Sequence, residues 1–217
     1  YKAGTSGNET NPSIQIGNAF EDLYLAFNTI KEGSQKIVLN RYSSYDFNLQ
    51  WSKDLANTNH GGNPTSPRIK ISTNGEIALG ATFSGSISTE SNVIDSNGDY
   101  DIAIFKFNGF RTMWAKNVGS SSADYCQDVD IDSEGSIFIL GSYGAKLIAS
   151  PEISSPNYYP SPQGDLDIIM FKYSNSGTLL DVVDAGGIAK DEGISLSIDK
   201  DDNIYLTGYI SGESQFS

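Results

Sequence analysis

The chain has 217 residues, with 14 Lys plus Arg against 27 Asp plus Glu, a formal net charge of -13, 22 Gly, one Cys and one His. A field of that sign repels polyphosphates, and no basic run or basic-aromatic interleaving opposes it, so the composition excludes the usual nucleic-acid binders. The lone Cys126 excludes an intrachain disulfide and any Cys-rich metal site, and with no apolar run near 18 residues no membrane insertion is expected.

Residues 1–12, YKAGTSGNETNP, read as a flexible lead-in. Residues 13–30 then show alternating apolar positions around a turn, the pattern of a β-hairpin. The same design recurs at 68–85 (RIKISTNGEIALGATFSG), 128–145 (DVDIDSEGSIFILGSYGA) and 195–212 (SLSIDKDDNIYLTGYISG). Ahead of each later hairpin come two more strand-like runs: KIVLNRY and LQWSKDL, DIAIFKF and TMWAKNV, DIIMFKY and LLDVVDA. Their starts, Lys36, Asp101 and Asp167, lie 65 and 66 positions apart, so the period is nearly constant while the loops differ.

Four short antiparallel strands per unit, Gly-rich turns and no helical periodicity predict an all-β fold of β-propeller blades, about three and a half in this chain. The expected divisions are a half blade at 13–35 and blades at 36–100, 101–166 and 167–217. Closed propellers usually need four or more blades. The ring is therefore expected to be completed by further sequence or by another chain. Nearly continuous apolar runs such as IFIL fit sheets covered on both faces.

The segments from Gly98 and from Gly164 resemble the bacterial SBBP repeat, named for seven-bladed β-propellers. Asp101 and Lys106, Asp167 and Lys172, Trp114, Gly119, Gly186, Gly187, Asp132, Asp199, Asn203, Gly141 and Gly208 stand at the matching positions. The first full unit departs, with Lys36 for Asp, Arg41 for Lys and Ala81 for the closing Gly, and the third carries Asp181 where Trp is expected. The resemblance implies a secreted or cell-surface bacterial protein and brings no catalytic residues with it.

Three places invite chemistry. Asp95, Asn97, Asp99 and Asp101 alternate oxygen-bearing side chains in a run suited to Ca²⁺, although the sixth-position Gly and distant Glu of an EF-hand loop are missing. The competing expectation is an Asx-rich turn whose last Asp caps the next strand, favoured by its partial recurrence as Gly164-Asp165-Leu166-Asp167. The Pro-rich insert with Asn157, Tyr158 and Tyr159 reads as a surface loop and as the best guess for a contact surface. His60 has no nucleophile elbow to serve, and no phosphate loop or zinc spacing is present. Asp128, Asp130, Asp132 and Glu134 are expected on a solvated strand face and turn, and Cys126 as a buried structural thiol.

The sequence thus predicts an extracellular binding or interaction module without catalytic activity, its partner a protein or glycan at the cell surface. One rival is a structural subunit that self-associates through open blade edges. The other is a propeller enzyme using paired carboxylates on glycans.

Overall fold

A computed structural model describes residues 10–17, 22–31, 34–57, 67–90, 92–148 and 161–216. Every regular element among them is a strand. The first sheet holds β1 (Thr10–Ile16), β2 (Leu23–Lys31), β3 (Ser34–Tyr42) and β4 (Leu49–Asn57), paired in that order. β5 (Arg68–Ile71) and β6 (Glu76–Phe83) follow, then a small hairpin, β7 (Ser86–Ser88) and β8 (Val93–Asp95). The second sheet joins β5 and β6 to β9 (Asp101–Asn108) and β10 (Arg111–Val118). The third joins β11 (Tyr125–Ile131) and β12 (Ile137–Tyr143) to β13 (Asp167–Tyr173) and β14 (Leu179–Gly187). A last hairpin pairs β15 (Glu192–Ile198) with β16 (Ile204–Tyr209), and β17 (Ser214–Phe216) follows it.

The blades are cut half a repeat out of phase with the sequence units. Each sheet takes the hairpin that ends one unit and the two strands that begin the next, as the registers Ile77↔Phe107 between β6 and β9 and Ile139↔Phe171 between β12 and β13 show. Divisions at Lys36, Asp101 and Asp167 therefore fall inside sheets. The reason lies in the second strand of each hairpin. Phe138 and Ile139 are buried on opposite faces, as central strands are, so this strand needs a neighbour on its far side as well. The following Asp-led strand supplies it. The hairpin expected to stand as a half blade at 13–35 thus belongs to a complete sheet, and the half blade is β15–β16.

β1, β5, β11 and β15 are the innermost strands, and each approaches the next around a common side. β11 also packs on β6, and β15 on β12, so neighbouring sheets lie face to face. One apolar cluster, with Leu39, Leu55, Ile69, Leu79 and Phe105, fills the space between the first and second sheets. A second, with Ile102, Ile104, Val129, Ile139 and Phe171, joins the second to the third. Full burial of each such side chain contributes about 1.5–3 kcal/mol, which no single sheet obtains alone. The sheets form an arc among the described residues, and no ring closure is present there.

The inserts do more than connect. β7 pairs with β4 of the preceding sheet through Ala56↔Ser88 and Asn57↔Ile87. Ile148 bridges Gly119 at the end of β10, and β17 pairs with β14 through Ala185↔Phe216. Each insert returns to the outer edge of the sheet before it and covers backbone groups that would otherwise lie open. The segment around 86–95 is consequently a hairpin.

Candidate interaction surface

Of the polar residues singled out in the sequence, the structure brings Asn97 and Asp101 together. Asp95 ends β8 and accepts a hydrogen bond from Ser86 Oγ, while its backbone carbonyl accepts one from Asn117 Nδ2 at 2.8 Å. Asp99 is exposed. Asp101 turns inward, fully buried, and its Oδ2 accepts from the Asn97 backbone N–H at 2.7 Å. Burial raises its pKa, opposed first by that N–H. Asp167 repeats the device, accepting from Gln163 N at 2.9 Å. Capping of the turn by the strand's first Asp is thus realised in both units. Among the described residues no three His, Cys, Asp or Glu side chains gather to hold a metal ion. Asn157, Tyr158, Tyr159 and His60 lie outside the described residues.

Asp101 also explains Gly119. A Cβ at that position would lie 2.4 Å from Asp101 Cγ, and one at Gly186 would lie 2.3 Å from Asp167 Cγ. Gly119→Ala is expected to cost about 1–3 kcal/mol by overpacking. Urea denaturation checks it, and an unchanged midpoint would show that the Asp101 turn yields freely.

Two further aspartates carry the inter-sheet loops. Asp124 accepts from Ser120 N, Ser120 Oγ and Gly144 N at 2.5, 3.1 and 3.1 Å. Asp191 accepts from Gly187 N at 2.8 Å and Ser211 N at 2.7 Å. Both are fully buried, and burial lifts Asp124 to a pKa of about 6. Sequence reasoning passed them over, although each stands five positions after a Gly, Gly119 and Gly186, in otherwise unlike loops.

The acidic stretch along β11 is not a solvated face. Asp130 is buried, binding Lys70 Nζ at 2.9 Å and the Ile198 backbone N–H at 2.9 Å. Asp128 accepts from Leu196 N and Ser195 Oγ. An innermost strand has backbone N–H groups with no strand to meet, and these carboxylates satisfy those of β15. Asp132 is buried too, its Oδ1 accepting from Glu134 N and Ser136 N in the turn; Glu134 stays exposed. Cys126 is buried as expected, its thiol pushed up to about 12 by burial, which removes it as a nucleophile.

The open surface lies at β15–β16. Ile204, Tyr205, Leu206 and Tyr209 are 41, 56, 46 and 60% exposed. Beside them an apolar groove of about 210 Å³ runs between β16 and the third sheet, with Ile168, Met170, Val183 and Leu206 in its walls and Asp184 as its only charged member.

No protein-family model matches the chain. It is similar to an uncharacterized WD repeat-containing protein of Acanthamoeba polyphaga mimivirus, 25% identical over an alignment 131 residues long that covers 56% of this chain and 9% of that protein. WD repeats are propeller blades of four strands. Repeated sheets of that design and this likeness make the chain a repeat protein of β-propeller type. It spans a small part of its relative's length.

Proposed function

We propose that the chain is an interaction module of a secreted or cell-surface protein, binding a protein or glycan without chemistry of its own. The observation that carries this reading is the rigid stack of sheets presenting an exposed apolar strand beside a groove, the combination by which scaffolds expose contact surface. The WD repeat-containing relative supports a role in protein contacts at the same coarse level. The finer assignment, to bacterial SBBP repeats, rests on the Asp-to-Lys strands and Gly-closed hairpins quoted from the sequence.

The test is a binding array of cell-surface proteins and glycans probed with the purified chain. Saturable binding that weakens when Leu206 is replaced by Asp supports the module. Hydrolysis of a glycan or ester that disappears with one Asp or Glu substitution would instead establish the enzyme, and a large ordered assembly in light scattering would establish the structural subunit. The proposed Ca²⁺ site at Asp95, Asn97, Asp99 and Asp101 is examined in the same preparation. Bound calcium raises the melting temperature and chelator reverses it, whereas no change under either condition rejects the site.

A further inference from the structure

β16 differs from its counterparts in having one neighbour. β6 and β12 each pair along their length with a third strand, from Phe83↔Asp101 to Glu76↔Asn108 and from Tyr143↔Asp167 to Ile137↔Tyr173. Among the described residues β16 pairs only with β15. The consequence shows in burial, since Ile137, Phe138 and Ile139 are at most 3% exposed while the matching Ile204, Tyr205 and Leu206 are at least 41% exposed.

The groove repeats the message in side chains. Ile102 and Ile104 on β9 are buried in one cluster with Ile169 and Phe171, which the third strand of the next sheet provides. Ile168 and Met170 hold the same places on β13. They border the 210 Å³ groove, where no such third strand lies among the described residues.

Charge completes the pattern. The cation near the end of each third strand meets an acid from the hairpin beside it: Arg41 with Asp22, Lys106 with Glu76, Lys172 with Asp132. Lys172 also lies 4.9 Å from the Phe138 ring centroid. In the last hairpin Asp199 takes the place of Asp132 and Tyr205 that of Phe138, with the Tyr205 hydroxyl donating to Asp199 at 3.0 Å. No Lys or Arg among the described residues pairs with Asp199.

We infer that the free edge of β16 is an acceptor for one more β-hairpin of this repeat's own design, entering antiparallel with its fifth-position aromatic opposite Leu206 and its sixth-position Lys or Arg over Tyr205 and Asp199. A second copy of the chain does not fit the edge. Its β3, β9 and β13 already have strands on both sides, and β16 against β16 sets the uncharged run IYLTGY against itself and brings no cation to Asp199. This inference draws on the same exposed strand and groove as the binding reading, and it takes a hairpin of the repeat, not a cell-surface partner, as what covers them.

The experiment adds a synthetic peptide of residues 164–187, the β13–β14 hairpin sequence, to the full 217-residue chain. Saturable one-to-one binding is expected, with at least tenfold slower hydrogen exchange at the β16 amides, and at least tenfold weaker binding for a peptide carrying Lys172→Glu. Asp199→Asn in the chain should weaken binding of the natural peptide. A second construction, with residues 149–187 repeated after Ser217, supplies the hairpin at high effective concentration and should give the same amide protection. The inference is overturned if β16 stays unprotected in that fusion, if the charge-reversed peptide binds equally, or if β16 becomes protected by concentration-dependent dimerisation without peptide. Loss of every partner in the array leaves these readouts untouched, so the two readings fail separately.

Discussion

Replacing Lys106 with Ala is expected to lower the stability of the chain by about 3–5 kcal/mol, the cost of breaking a buried ion pair from one side. Lys106 is 1% exposed on β9, and its ammonium lies 2.9 Å from Glu76 Oε2, donates to the Gly135 carbonyl at 3.1 Å and to Asn175 Oδ1 at 2.7 Å. Gly135 and Asn175 belong to the two turns at one end of the third sheet, so a single cation ties the second sheet to the third. Trp114 Nε1 donates to the Asn175 carbonyl at 3.0 Å and fixes the same turn. Alanine leaves the Glu76 carboxylate mostly buried without its counter-charge, which is worse than having neither group. The double variant Lys106→Met with Glu76→Gln should therefore recover most of the loss. Urea denaturation of the four proteins measures the coupling, and a loss below about 1 kcal/mol for Lys106→Ala would show that the sheets hold together without this contact.

Lys106 also marks the limit of what the sequence makes legible. Its place at the sixth position of a recurring strand is plain from the period, as are the strands themselves, the turns and the two-sided burial. Its partners stand 29 and 69 positions away and follow from how sheets stack, which periodicity does not encode. The phase of the blades escaped for a related reason. A four-strand repeat reads the same wherever it is cut, and only pairing across Asp101 and Asp167 decides the cut. The aspartates on β11 look solvated in a one-dimensional alternation. They are latches because the neighbouring innermost strand has backbone N–H groups to satisfy. Of the candidate Ca²⁺ residues, Asp101 was legible as a cap through its recurrence at Asp167, whereas Asp124 and Asp191 sit in loops whose sequences share little beyond one spacing.

Those buried carboxylates set the response to pH. Asp124 is raised by burial to about 6 from an ordinary value of 3.8, and Asp101 and Asp167 are raised by the same cause. A carboxyl whose pKa is higher folded than unfolded binds more protons in the native state. Between about pH 4 and 6 the unfolding free energy therefore falls as pH rises. The ionised Asp124 at pH 7 costs roughly 3 kcal/mol relative to its acid form, from about two pKa units at 1.36 kcal/mol each. Lowering the pH also relieves the self-repulsion of an acidic chain, in the same direction. Four groups act oppositely below that window, Asp46, Glu90, Asp199 and Asp202, all held below the usual carboxylate range. Glu90, although burial pulls it up, is held at about 2 by Lys53 and Thr112, and Asp199 is held at about 2 by Asn203. Their contributions are complete above the unfolded carboxylate range and disappear as pH falls towards 2. The urea midpoint is accordingly expected to rise from pH 7 to about pH 4 and to drop again towards pH 2. Asp124→Asn should flatten the slope between pH 4 and 6, even if the amide satisfies fewer of the three donors and lowers the midpoint throughout. A slope unchanged in that variant, or a midpoint that climbs from pH 4 to 7 in the parent, would show that the stacked sheets hold Asp124 as an ordinary ionised carboxylate.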